Sequence, residues 1–194
     1  MKYFAIALIS LFFYSCQSKF PEKEFVGNSS KSLVNQDSVS VDFPKRYKGK
    51  ILLVSFIFTN CPDICPLTTH NLQRIQQKVK EEKIDNVSFA AISFDPERDT
   101  PLALKNFAEV RNLDLSNYNV FSGKREDVKS LMETFHIVAI PGDTTFTDDG
   151  DPVYFFTHTD RITLVDHDQN IRKSYKGSEI NLDEIINDIK NLGD

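Results

Sequence analysis

The sequence predicts an α/β domain, a central mixed β-sheet flanked by helices, and three observations carry that expectation. Ile51 to Phe58 is an unbroken apolar run rich in β-branched and aromatic residues, the pattern of a strand buried on both faces. Strand-like and helix-like stretches alternate through much of the remaining chain, as they do where βαβ units build a parallel sheet. Directly after the apolar run stand Cys61 and Cys65, with three residues between them. Loops leaving the carboxyl end of a central parallel strand are where such folds keep their chemistry.

Length and charge narrow the possibilities. Of 194 residues, 40% are apolar, enough for one domain with a core that needs no disulfide staples. The net charge is −5 and the pI is near 5.4. No basic stripe is present to neutralise phosphates, which argues against nucleic acid as a partner.

Met1 to Cys16 joins an early Lys2, an apolar stretch and Ser15-Cys16. It has the length of an export signal and is too short to span a bilayer comfortably. A small residue before a cysteine resembles a bacterial lipoprotein processing site, in which Cys16 becomes the lipidated N-terminus. Phe13 and Tyr14 depart from the usual pattern, and an ordinary signal peptide or a short anchor is the alternative. Each version exports the domain. Residues 17–40 are polar and without sustained periodicity, so they read as a flexible linker, and 41–194 as the folded domain.

Ser38 to Phe43 alternates apolar with polar, a strand signal at the linker's far end. A helix is expected from Pro66 to about Glu82, with Leu72, Ile75 and Val79 on one face. Val87 to Phe94 reads as strand. Thr100 is a natural N-cap with Pro101 behind it, opening a helix to about Arg111. Asn119 to Ser122 reads as strand and Glu126 to Phe135 as helix. Ile137 to Pro152 reads as loop, with Pro-Gly and Asp-Asp-Gly turn signals. Tyr154 to His158 and Ile162 to Val165 follow as strands, and Ile171 to Tyr175 closes a hairpin. Asn181 and Glu184 make a capping box for the last helix. The resulting order, β-α-β-α-β-α-β-β-α, predicts a thioredoxin-like architecture with an added hairpin.

Among three cysteines, Cys16 belongs to the leader, so Cys61 and Cys65 are read together. Two thiols at this spacing can close a disulfide or clamp a soft metal ion. With Pro66 opening the regular helix, Cys65 sits at a helix N-terminus, where unpaired amides and the dipole favour thiolate. Structural zinc wants four ligands, and no second cysteine pair exists. A copper site wants one more donor, with histidine the natural choice.

Four histidines compete for that place. His70 follows Cys65 on the same helix by five residues, about 140° around the axis, and points away. His136 closes a helix, where the carbonyl end of the dipole welcomes it. His167 sits at a hairpin tip between two aspartates. His158 enters the picture through fold analogy, since the segment before the corresponding strand packs against the cysteine turn. Spacing alone leaves a satisfied loop histidine equally open. Asp63 reads as a turn former rather than an outer partner of a metal, and Asp95, Arg98 and Asp99 read as an ion-paired loop.

Four segments carry a family resemblance: Phe58 to Pro66, Ser93 to Pro101, Ser122 to Val128, and Thr157 to Asp166. Together they resemble the Sco/SenC family, copper-binding thioredoxin-like proteins that assemble the binuclear copper centre of cytochrome c oxidase. The resemblance covers about Val41 to Leu192. It implies ligation of one copper ion, Cu(I) and also Cu(II), by Cys61, Cys65 and His158. It implies as partners the oxidase copper-centre subunit or another periplasmic copper carrier, with membrane attachment through Cys16. Thr157 stands where the family usually has Asp, and His167-Asp168-Gln169-Asn170 replaces its Pro-Asp-Gly turn. The expected function is therefore that of a copper metallochaperone. The alternative is a thiol–disulfide oxidoreductase using Cys61 and Cys65 as a redox pair to keep the oxidase cysteines reduced. A peroxidase would want a single activated cysteine, and the spacing speaks against it.

Overall fold

The computed structural model describes residues 20, 24–61, 64–146, 149–150 and 152–193. The export signal with Cys16, and Asp63 between the two cysteines, lie outside the described residues. The strands are β1 Glu24–Phe25, β2 Lys31–Asn35, β3 Ser40–Phe43, β4 Ile51–Ile57, β5 Val87–Ser93, β6 Tyr118–Gly123, β7 Ala139–Phe146, β8 Pro152–His158, β9 Ile162–Val165 and β10 Asn170–Tyr175. The helices are α1 Ile64–Glu81, α2 Pro101–Val110, α3 Arg125–Thr134 and α4 Leu182–Gly193. Among the described residues no helix is long and apolar enough to cross a membrane.

Eight strands form one mixed sheet in the order β1-β10-β9-β4-β5-β6-β2-β3. β4, β5 and β6 run parallel, and the flanking strands pair antiparallel. Every residue of β4 and β5 is buried, as expected of strands covered on both faces. α1 and α4 pack together over β4, while α3 packs on β2 and β6. The α1 stripe of Leu72, Ile75 and Val79 is buried as its spacing predicts. Phe135, just past α3, meets Phe56 of β4 and Phe43 of β3. Each such fully buried side chain contributes roughly 2 kcal/mol of transfer free energy.

Two expectations are overturned. The polar segment 17–40 is not simply a linker: β1 pairs with β10, and β2 lies between β6 and β3 in the main sheet. β2 carries only one strongly apolar anchor, Leu33, which is fully buried, so its strand character comes from its partners rather than from its own alternation. The loop expected over 137–152 is also largely strand. β7 pairs with β8 in a separate two-stranded sheet. β7 residues are almost all exposed, so no buried face writes a period of two into the sequence. The Pro141-Gly142 turn signal marks a register irregularity inside this hairpin, as bulges often do.

Candidate metal centre

The site begins where β4 ends. Phe58 is buried against the rings of Phe94 and Phe156, with centroids 5.4 and 5.2 Å away. The chain then turns, and Cys61 N–H donates to the Phe58 carbonyl at 3.3 Å. Thr59 fixes this turn from the side. Its N–H and Oγ1 donate to the two carboxylate oxygens of Asp99, at 3.0 and 2.6 Å.

α1 starts at Ile64, two residues before the Pro66 start that the sequence predicts. Cys65 is therefore inside the first turn, and its N–H donates to Cys61 Sγ at 3.4 Å. The helix amide serves the sulfur of Cys61, not that of Cys65. Contact with Cys61 and burial push the Cys65 thiol well up, the reverse of the thiolate-favouring expectation. Cys61 and Cys65 are both reduced, with no disulfide between them, and both are buried.

His158 closes β8 on the opposite side of the cleft. Its Nδ1 lies 3.1 Å from the Thr159 carbonyl, which can only accept, so Nδ1 carries a proton and, in the neutral ring, Nε2 keeps its lone pair. Nε2 faces Cys65 Sγ at 3.5 Å. The two sulfurs and an imidazole nitrogen all lie within 4.8 Å of one another. Burial alone would lower the His158 pKa, but hydrogen bonding to Cys61 and to Thr159 outweighs it and the net direction is upward. The ring's outer partner is thus a backbone carbonyl, held in turn by Thr159 N–H on the Val138 carbonyl at 2.8 Å. No carboxylate before the histidine is needed to set its tautomer.

The remaining histidines stay away. His70 is exposed on α1. His136 pairs with Glu24 at 2.7 Å, and His167 sits near Asp168 at the hairpin tip. The centre opens to an aromatic cleft of about 290 Å³ lined by Phe58, Ile64, Phe155 and Phe156 beside Cys61 and His158. Phe94 stacks obliquely on the imidazole, with centroids 5.0 Å apart.

Residues 22–194 match the protein family described as SCO1/SenC. The chain belongs to the SCO1/SenC family. Its similarity to the SCO1 protein homolog of Bacillus subtilis is 35% identity over 80% of this chain and 77% of that one. Against the SCO2-like protein of Rickettsia conorii it is 31% identical, over 62% of this chain and only 56% of the relative's length. A SCO1/SenC family lipoprotein from Bacillus anthracis superposes with a TM-score of 0.73 at 30% identity, covering 91% of this chain and 99% of that one. Bradyrhizobium japonicum ScoI, solved with copper bound, gives a TM-score of 0.69 at 28% identity, over 84% of this chain and 97% of that one. BsSco, in which a disulfide switch was identified and which belongs to the Sco family of cytochrome c oxidase assembly proteins, gives 0.71 at 30% identity, over 90% and 96%. A SCO1/SenC protein is thus what the fold and the donor cluster together describe, and the thioredoxin-like expectation holds.

Sequence reading missed the polar contacts that support this SCO1/SenC site. Asp95 and Asp99 read as members of an ion-paired loop; Asp95 does pair with Arg98, at 3.1 Å, but both carboxylates are buried. Asp99 also accepts from Ser93 Oγ at 2.5 Å. Asp95 accepts from the Tyr154 hydroxyl, which nothing local in the sequence links to it. Asp160, two residues after His158, accepts from Thr68 on α1 at 3.0 Å and from Ser178 N–H and Oγ at 3.0 and 2.6 Å. Two acidic residues four apart behind a buried strand were the available signal for the first pair. The Thr68–Asp160 contact has none.

Proposed function

We propose that this protein is a copper metallochaperone, holding one copper ion through Cys61 Sγ, Cys65 Sγ and His158 Nε2 and passing it to the copper-centre subunit of cytochrome c oxidase or to another exported copper carrier. One observation carries the reading: two reduced thiols and an imidazole lone pair converge within 4.8 Å. Thiolate sulfur favours soft ions such as monovalent copper, structural zinc would want a fourth ligand, and two sulfurs with one nitrogen leave the coordination open. An incoming ligand can then displace the donors one at a time. Phe58, Phe94 and Phe156 wall the centre and limit water and oxygen around a readily oxidised ion. Lipidation at Cys16 would hold the domain at the outer side of the membrane, close to an oxidase. The copper-bound ScoI structure, at 28% identity, supports the same assignment.

Anaerobic titration of the reduced protein with Cu(I) tests it. One tight equivalent is expected in the wild type, lost in Cys61→Ala and Cys65→Ala and weakened in His158→Ala. Unchanged affinity in His158→Ala would remove the nitrogen donor from the site.

A second reading, thiol–disulfide exchange, is favoured by the asymmetry of the pair. Cys61 is 9% exposed, against 1% for Cys65, and its sulfur receives the helix amide. Cys61 thiolate would attack a target disulfide, and Cys65 would then displace the target thiol. The target gains two electrons and two protons as Cys61 and Cys65 close their own disulfide. This activity needs no imidazole, so His158→Ala would retain it while losing copper affinity.

A further inference from the structure

We infer that Tyr154 is a positioning residue for His158, and that the loop from Ser93 to Asp99 is the clamp that holds the thiol side and the imidazole side of the centre in register. This rests on the metal-site reading above.

The argument starts from the hairpin. Among the described residues β8 pairs only with β7, and no ladder joins it to the main sheet. Its distance from the cysteine turn must therefore be set by side chains and by its ends. Along β8, alternation turns Tyr154, Phe156 and His158 to the same side, and Tyr154 is the most buried of them, at 8% exposure. Its hydroxyl donates to Asp95 Oδ2 at 2.5 Å. Arg98 closes over it: the guanidinium carbon lies 3.4 Å from the ring centroid, while Nη1 donates to Asp95 Oδ1 at 3.1 Å. The ring's other contacts are Phe58, at 6.4 Å, and Phe156, at 5.7 Å.

The same loop reaches the other half of the centre. Asp99 N–H donates to the Asp95 carbonyl at 3.0 Å, so the two carboxylates belong to one rigid turn. Asp99 holds Thr59, two residues before Cys61, and Ser93 Oγ links Asp99 to the Asp95 amide. One short loop thus grips the cysteine turn with one carboxylate and the histidine strand with the other. A surface ion pair would leave both carboxylates exposed, whereas these are about 2% exposed each.

Tyr154→Phe tests this, since it keeps the ring and the Arg98 stack and removes only the hydroxyl. Without any metal, amide hydrogen exchange of the β7–β8 hairpin should speed up while the main sheet stays unchanged. Cu(I) affinity should fall about tenfold, the lower end of the cost of losing an outer partner. In a His158→Ala background the same substitution should cost nothing further, because the hydroxyl acts through the imidazole. Unaltered hairpin exchange would overturn the clamp, as would an equal loss of affinity in both backgrounds. Failure of the wild type to bind Cu(I) would instead overturn the metal reading, and the exchange result would judge the clamp alone.

Discussion

His158 Nε2 stands 3.5 Å from Cys65 Sγ although 93 residues separate them in the chain. That contact brings an imidazole nitrogen beside the thiol pair, so that three potential donor atoms lie within 4.8 Å of one another. It depends on a hairpin outside the main sheet, and so on the contacts that seat that hairpin.

Removing the imidazole should therefore separate binding from folding. We expect His158→Ala to lower Cu(I) affinity by at least the roughly 100-fold that loss of an outer partner can reach. The urea midpoint should shift little, because His158 is only half-buried and its contacts are few. Competition with a chromophoric Cu(I) chelator, beside urea unfolding of the apo-protein, measures both.

Copper loading should depend on pH with a definite sign. The Cys65 thiol is pushed up by its contact with Cys61 and by burial, so it is protonated at neutral pH and must release that proton to bind as thiolate. Apparent affinity should rise by about tenfold or more per pH unit through the neutral range. The same chelator competition run at several pH values reads the slope. A flat profile would mean that the sulfur is already thiolate in the free protein.

Asp99 makes a stability prediction with the opposite sign to the usual carboxylate. Burial raises its pKa, against the lowering effect of hydrogen bonds from Ser93 and Thr59. Between the unfolded value near 3.8 and the raised folded value, the native state binds more protons than the unfolded one. Stability from this group therefore falls as pH rises through that window and is recovered as pH drops. Asp99→Asn should flatten the dependence, so the urea midpoint of the wild type relative to the variant should be higher near pH 4 than at pH 7. Asp99→Ala should cost about 1–3 kcal/mol at neutral pH by stranding Thr59 and Ser93 donors. A midpoint difference that is constant with pH would count against the assignment.

Oxidation should switch the centre off. Diamide takes two electrons and two protons from Cys61 and Cys65, joins them, and leaves no thiolate for copper. The oxidised protein should bind no tight equivalent of Cu(I), and dithiothreitol should restore one. Thiol counting by Ellman's reagent alongside the titration checks that the loss tracks the pair.

Gly177 should tolerate no side chain. A Cβ there would run into Asp160 Oδ1 and come within 2.7 Å of Thr68 Oγ1, and Asn71 Nδ2 donates to its carbonyl at 2.8 Å. Gly177→Ala should lower stability by roughly 1–3 kcal/mol, the usual cost of overpacking. It should also weaken Cu(I) binding, because Asp160 follows His158 by two residues. Native stability in the variant would show that the segment can move aside.

Much of this was legible before any coordinates. Residues 51–57, 87–93 and 101–110 write their own structure, because a fully buried strand must be apolar throughout and a helix start must satisfy its free amides with a residue such as Thr100. β2 and β7 were not legible: one takes its pairing from β6 and β3, and the other is exposed along nearly its whole length. The Thr59–Asp99 and Tyr154–Asp95 contacts were hidden for the same reason, since a carboxylate looks alike in sequence whether it faces water or a buried hydroxyl.

By itself the sequence determined the core strands, the capped helices and the placing of Cys61 and Cys65 at the mouth of a buried strand, since each follows from neighbours within a few residues. Only the tertiary structure decided which histidine lies beside the two thiols, which sulfur the helix amide serves, and how one acidic loop touches both the cysteine turn and the histidine strand. Those outcomes are settled by groups far apart in the chain, whose meeting is favourable only once the whole sheet has formed around them.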